Sequence, residues 1–122
     1  PIWVVAAWGS EKSMQRALKY DGLLPAVIKV HEDGSKLTQQ ASPEDVGAIR
    51  RYIQAKRGED ATFDIVVEGE TPGDDPQRAA EILHPWQQAG ATWWIESLWS
   101  LADAPDGMER VRRRVVAGAP RR

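Results

Sequence analysis

Four short apolar runs, each followed by a stretch of helical periodicity, set the narrowest limit on how this chain folds. The runs cover residues 2–7, 22–27, 63–68 and 92–96. The first is apolar throughout, as in a strand buried on both faces of a parallel sheet. Pro25 has no N–H to give a ladder, so the second strand is expected to be short. After the first run, Ser10 is an N-cap and Met14, Ala17 and Leu18 share one helical face, up to Asp21-Gly22. After the second, Ser42-Pro43-Glu44-Asp45 starts a helix with Pro at its first position and acids in its first turn. Its stripe is Val46, Ile49 and Ile53, and Gly58 stops it. Asp75-Pro76 repeats the signal after the third run, with Ala79, Ile82, Leu83 and Trp86 as the stripe and Gly90 at the end. Pro85 inside that helix is expected to kink or shorten it. Met108, Val111 and Val115 form the last stripe, up to Gly118. Residues 30–41, with Glu32-Asp33-Gly34-Ser35, read as a polar loop of the size that often carries function.

Strands alternating with helices imply an α/β fold with parallel pairing and right-handed crossovers. The 122 residues make one domain, 1–122, with enough chain for a core. A net charge of −2 argues for neither a nucleic-acid nor a membrane partner. With no cysteine, thiol chemistry and disulfides are excluded. No apolar run has the length of a membrane span and no signal peptide opens the chain, so a cytoplasmic location is the expectation. The first run starts just after Pro1, which fits either loss of an initiator Met or a piece of a longer chain.

Chemistry-bearing residues are few. His31 and His84 have no partner at metal-ligand spacing, so no metal site is expected. No nucleophile elbow or triad pattern appears, and no catalytic residue can be named. Arg110, Arg112, Arg113 and Arg114 read as the solvated face of the last helix. Two strands end in carboxylates, Glu68 and Glu96, and period-two alternation sets each opposite the helix-packing residues of its strand. Parallel α/β folds bind ligands at such strand ends. Three of the six tryptophans, Trp93, Trp94 and Trp99, surround Glu96.

The segment 1–10, running into Arg16-Ala17-Leu18-Lys19-Tyr20-Asp21-Gly22, resembles the bacterial-luciferase-like family of flavin- or deazaflavin-dependent oxidoreductases. The likeness continues through Phe63-Asp64-Ile65-Val66-Val67-Glu68-Gly69, Thr71-Pro72-Gly73-Asp74-Asp75-Pro76 and residues 89–96. That family folds as an eight-stranded (β/α) barrel at least twice this long. The resemblance therefore implies a (βα)4 half of a TIM-type barrel, its C-terminal half. An open flavodoxin-like parallel sheet fits the same alternation.

The resemblance further implies a cofactor, FMN or a deazaflavin, or none in the isolated chain. Its phosphate end maps onto Gly9, Ser10 and Ser13, with Lys12 nearby. Exposed amides at a helix N-terminus and a close-approaching glycine suit that role. Trp93 is expected to pack beneath the helices, with Trp94 and Glu96 facing the barrel interior as part of the flavin-type site. Trp99 is expected to cover the pocket and Trp8 to wall it. The expected activity is that of a luciferase-like monooxygenase lineage, silent in the isolated half. The alternative is a non-catalytic half-barrel scaffold. Either is expected to self-associate as a homodimer, because half a barrel leaves one sheet face and two edges uncovered.

Overall fold

The computed structural model describes residues 1–120. Its elements run β1 (Trp3–Trp8), α1 (Glu11–Ala17), β2 (Gly22–Val30), β3 (Lys36–Gln40), α2 (Pro43–Arg57), β4 (Asp64–Gly69), α3 (Pro76–Ala89), β5 (Trp93–Glu96) and α4 (Gly107–Ala117). A single 3-10 turn, Trp99–Leu101, lies between β5 and α4. The helix starts follow their caps. Ser42 accepts from the Asp45 amide while Asp45 accepts from the Ser42 amide, a reciprocal box with Pro43 just inside. Asp75 accepts from the Arg78 amide at 2.9 Å, and Gly90, left-handed at φ 110°, closes α3. Pro85 does not end α3, which continues to Ala89.

The parallel strands lie in chain order, β1-β2-β4-β5. With right-handed crossovers, that order carries every connection to one side of the sheet. One core accordingly joins Met14 and Ala17 of α1 and Val46, Ile49 and Ile53 of α2 to Ala6, Leu23, Ile65 and Val67 of the sheet, with Trp86 and Ala89 of α3 against it. This is the winding of a half-barrel. A flavodoxin-like sheet reverses direction and carries helices on both faces.

Register fixes the two faces. Val4 pairs with Leu23, Leu23 with Ile65 and Val67 with Trp94, all on the helix-covered side. The opposite side carries Val5 beside Leu24, and Val66 beside Trp93. Gly22 is required there: a Cβ would stand 2.6 Å from Asp64 and 2.8 Å from the Trp3 ring. The bare position lets the Trp3 indole cross β2, donate to Asp64 at 3.0 Å and meet Trp93 at 5.2 Å between ring centroids.

Two expectations fail around Pro25. β2 is not short, since it spans nine residues. Residues 30–41 are not a loop, because β2 continues to Val30 and β3 pairs with it antiparallel. Pro25 falls where the second edge of β2 changes partner: β4 pairs at Gly22 and Leu23, and β3 from Ala26 onward. A missing donor is tolerated at such a gap. The hairpin turn is closed by Asp33, which accepts from the Ser35 amide and hydroxyl, with Gly34 at φ 81°.

The last helix also departs from its pattern. Met108 and Val115 are 82% and 72% exposed, and only Val111 of that stripe is partly covered. α4 instead turns Arg114 inward, where its side chain is 11% exposed. An ionic partner at the end of β5 outweighs the apolar stripe.

Candidate functional site

The β1–α1 turn is built by Gly9, Ser10 and Ser13. Gly9 sits at φ 104°, reversing the chain out of β1. Ser10 caps α1, its hydroxyl accepting from the Ser13 amide at 3.4 Å. The Ser13 hydroxyl accepts from the Ala7 amide at 2.9 Å, pinning the helix start to the strand end. Both hydroxyls act as acceptors in these bonds, which leaves their protons for a ligand. Lys12 is exposed beside them. Glu11 is turned away by Tyr52, whose hydroxyl donates to it at 2.8 Å, and by Gln15 at 3.1 Å. The structure thus brings Gly9, Ser10, Lys12 and Ser13 together.

Trp94 and Glu96 do not join them. They lie on β5, across β2 and β4 from β1, on the order of 14 Å away at ordinary strand spacing. The expected facing of the two tryptophans is inverted. Trp94 packs under the helices, with its ring 6.0 Å from Trp86 and against the backbone of Gly69, while Trp93 is 52% exposed on the helix-free face. The cause is the register: Val67 belongs to the core, and its partner Trp94 must share its side. Trp8 likewise faces the helices, edge-on to Tyr52 at 5.8 Å. Trp99 is 77% exposed and covers no pocket there.

Glu96 is fully engaged. It accepts from the Thr71 amide, from the Thr71 hydroxyl at 2.7 Å and from the Trp94 indole at 3.2 Å, and it pairs with Arg114 at 3.0 Å. Burial works to raise its carboxyl, but those hydrogen bonds and the Arg114 charge outweigh it and hold the group below its ordinary range. Arg114 also donates to the Thr71 carbonyl at 3.0 Å and to the Gly118 carbonyl at 2.6 Å. It is a buried tie between α4 and the strand ends, not part of a solvated face.

Of the two strand-end carboxylates, the helix-free face receives only Glu68, which is level with Ile95. Gln40 at the end of β3 donates to the Glu68 carbonyl. The alternation of β4 placed Glu68 correctly, since Ile65 and Val67 anchor its parity in the core. Among the described residues no cluster of His, Asp and Glu is arranged to hold a metal. No helix among them is long and apolar enough to cross a membrane. No family model, curated protein or solved structure matches the chain.

Proposed function

We propose that the chain is the C-terminal half-barrel of a luciferase-like, flavin- or deazaflavin-dependent oxidoreductase. In this reading the β1–α1 turn holds the cofactor phosphate. The observation that carries it is the sheet wound in chain order, with one face helix-covered and the other open and led by Glu68 at its carboxyl end. Barrel enzymes build their sites from such strand ends. The Ser10 and Ser13 hydroxyls and the Lys12 ammonium, beside the turn at Gly9, are offered to the phosphate of FMN or a deazaflavin, while the Ser10 and Ser13 amides are taken by the Ala7 carbonyl and by the Ser10 hydroxyl. Glu68 replaces Trp94 and Glu96 as the side chain directed toward the ring end. A second copy covers the open face, and the isolated chain does not turn over a monooxygenase substrate, because half of the active-site wall is absent.

Titration with FMN and riboflavin in parallel tests the cofactor reading. FMN is expected to bind weakly and more tightly than riboflavin, and Ser10→Ala with Ser13→Ala to remove the difference. Equal affinity for the two flavins, or FMN binding indifferent to both substitutions, refutes it. Light scattering tests the assembly: a concentration-independent mass of 13.6 kDa refutes the homodimer. A scaffold that dimerises without binding flavin is the second reading, favoured by the consumption of Glu96 in structural bonds.

A further inference from the structure

The loop after β4, the 3-10 turn after β5 and the inner side of α4 enclose a cleft of about 600 Å³. Ligand pockets usually fall between about 300 and 1,000 Å³. Leu98 and Leu101 give it an apolar floor, and Arg110 and Arg113 stand on its α4 wall, one helical turn apart. The opposite wall is the 70–74 turn, pressed so close to α4 that a Cβ at Gly73 would stand 2.8 Å from Ala117.

The charged groups of this cleft differ in availability. Arg114 is consumed by Glu96, Thr71 and Gly118. Glu70 accepts from the Ser100 hydroxyl at 2.7 Å. Among the described residues Arg113 has only an exposed contact with Glu109, at 3.6 Å. Arg110 has no side-chain partner among the described residues. Asp74, the other acid of the lining, has no side-chain partner among the described residues. Two guanidinium forks beside an apolar floor match a planar or tetrahedral oxyanion carried on a small organic body. Barrel folds often bind phosphate at the loops after their last two strands, next to a short extra helical turn. β4, β5 and the turn at Trp99–Leu101 have that arrangement.

We infer that this cleft binds a phosphorylated small molecule, with Arg110 and Arg113 gripping the phosphate and Leu98 and Leu101 contacting the organic part. The inference rests on the half-barrel winding and not on the flavin reading, since the cleft and the β1–α1 turn lie on opposite sheet edges.

The test is an amide-resolved NMR titration of the 122-residue chain with inorganic phosphate, ribose 5-phosphate and ribose. Saturable shifts at Gly73 and Leu101 are expected with both phosphates, at a dissociation constant of about 1 mM, and none with ribose. Tighter binding of ribose 5-phosphate than of inorganic phosphate is expected, and equal affinity overturns the role of the apolar floor. Arg110→Gln with Arg113→Gln is expected to weaken binding at least about tenfold, and Asp74→Asn to strengthen it. Both arginines are exposed, so their replacement spares the fold. Absence of saturable shifts, or shifts that survive the arginine pair but vanish with Ser10→Ala and Ser13→Ala, overturns the inference. The latter result leaves the cofactor proposal standing. Shifts at Gly73 with flavin failing at the β1–α1 turn reject that proposal and keep this one.

Discussion

Replacing Arg114 with Met should be among the most damaging single changes outside the aliphatic core. The guanidinium bridges the Thr71 carbonyl and hydroxyl, the Gly118 carbonyl and the Glu96 carboxylate, at 2.6–3.0 Å. The two ionic side chains are 11% and 20% exposed. Breaking a buried pair by removing one partner costs about 3–5 kcal/mol. Here Thr71 and Trp94 go on holding Glu96, and the Gly118 carbonyl is free to take water, which brings the expected loss to about 2–4 kcal/mol. Urea unfolding of the native chain, Arg114→Met, Glu96→Gln and the double variant gives a coupling energy, expected at about 1.5–3 kcal/mol near pH 7. The sign with pH follows from the carboxyl. Glu96 is held below its ordinary 4.5 when folded, so its stabilisation is complete above that value and is lost as pH falls through the folded value. Met at 114 removes one of the groups holding it down. The defect of Arg114→Met should therefore be largest at neutral pH and narrow on acidification. A coupling below about 0.5 kcal/mol, or a defect that does not change with pH, refutes the ionic account and leaves only the lost alkyl packing of Arg114.

Gly69→Ala places a Cβ 2.5 Å from the Trp94 ring, and calorimetry should show a loss of about 1–3 kcal/mol, which Trp94→Leu in the same chain relieves in part. The two neighbouring tryptophans should behave in opposite ways toward Asp. Trp94→Asp puts a charge among Trp86 and Val67 and should unfold much of the chain by circular dichroism. Trp93→Asp should leave the fold intact and shift the light-scattering mass toward 13.6 kDa. The reverse pattern would mean that the register of β5 is wrong.

The winding was legible because each helix signals itself locally. Ser42-Pro43, Asp75-Pro76 and Gly90 act within one turn of chain, and their stripes at Val46, Ile49 and Ile53 went to the core as their spacing demands. β5 was not legible in the same way. Trp93, Trp94 and Ile95 are apolar on both faces, so alternation alone does not say which set is covered. The parity is settled by Val67, a residue 27 positions from Trp94 in the sequence and directly beside it in the sheet. Arg114 was hidden for a related reason. One arginine among Arg110, Arg112, Arg113 and Arg114 pairs inward, and nothing within the helix distinguishes it from the others. The hairpin strand was missed because Lys36-Leu37-Thr38-Gln39-Gln40 is exposed throughout and lacks an apolar face.

The helix-free face is organised as a barrel interior is, in layers that rise toward the carboxyl ends of the strands. Trp3, Gly22 and Asp64 form the lowest layer, tied by the indole-to-carboxylate bond. Val5, Leu24, Val66 and Trp93 form the next, and Val66 is already buried within the single chain. Ile95 and Glu68 stand above them. Trp3 and Trp93 meet across the lower layers, so the floor of the half-barrel is filled by its own side chains. Trp93 and Val5 nevertheless stay 52% and 60% exposed, and these are the surfaces a closing half would bury at that level. Higher up it would wall Ile95 and Glu68, at the level where barrel enzymes place their reacting groups. Filling of the floor by its own side chains favours folding of the single chain, while the mouth at Ile95 and Glu68 stays open.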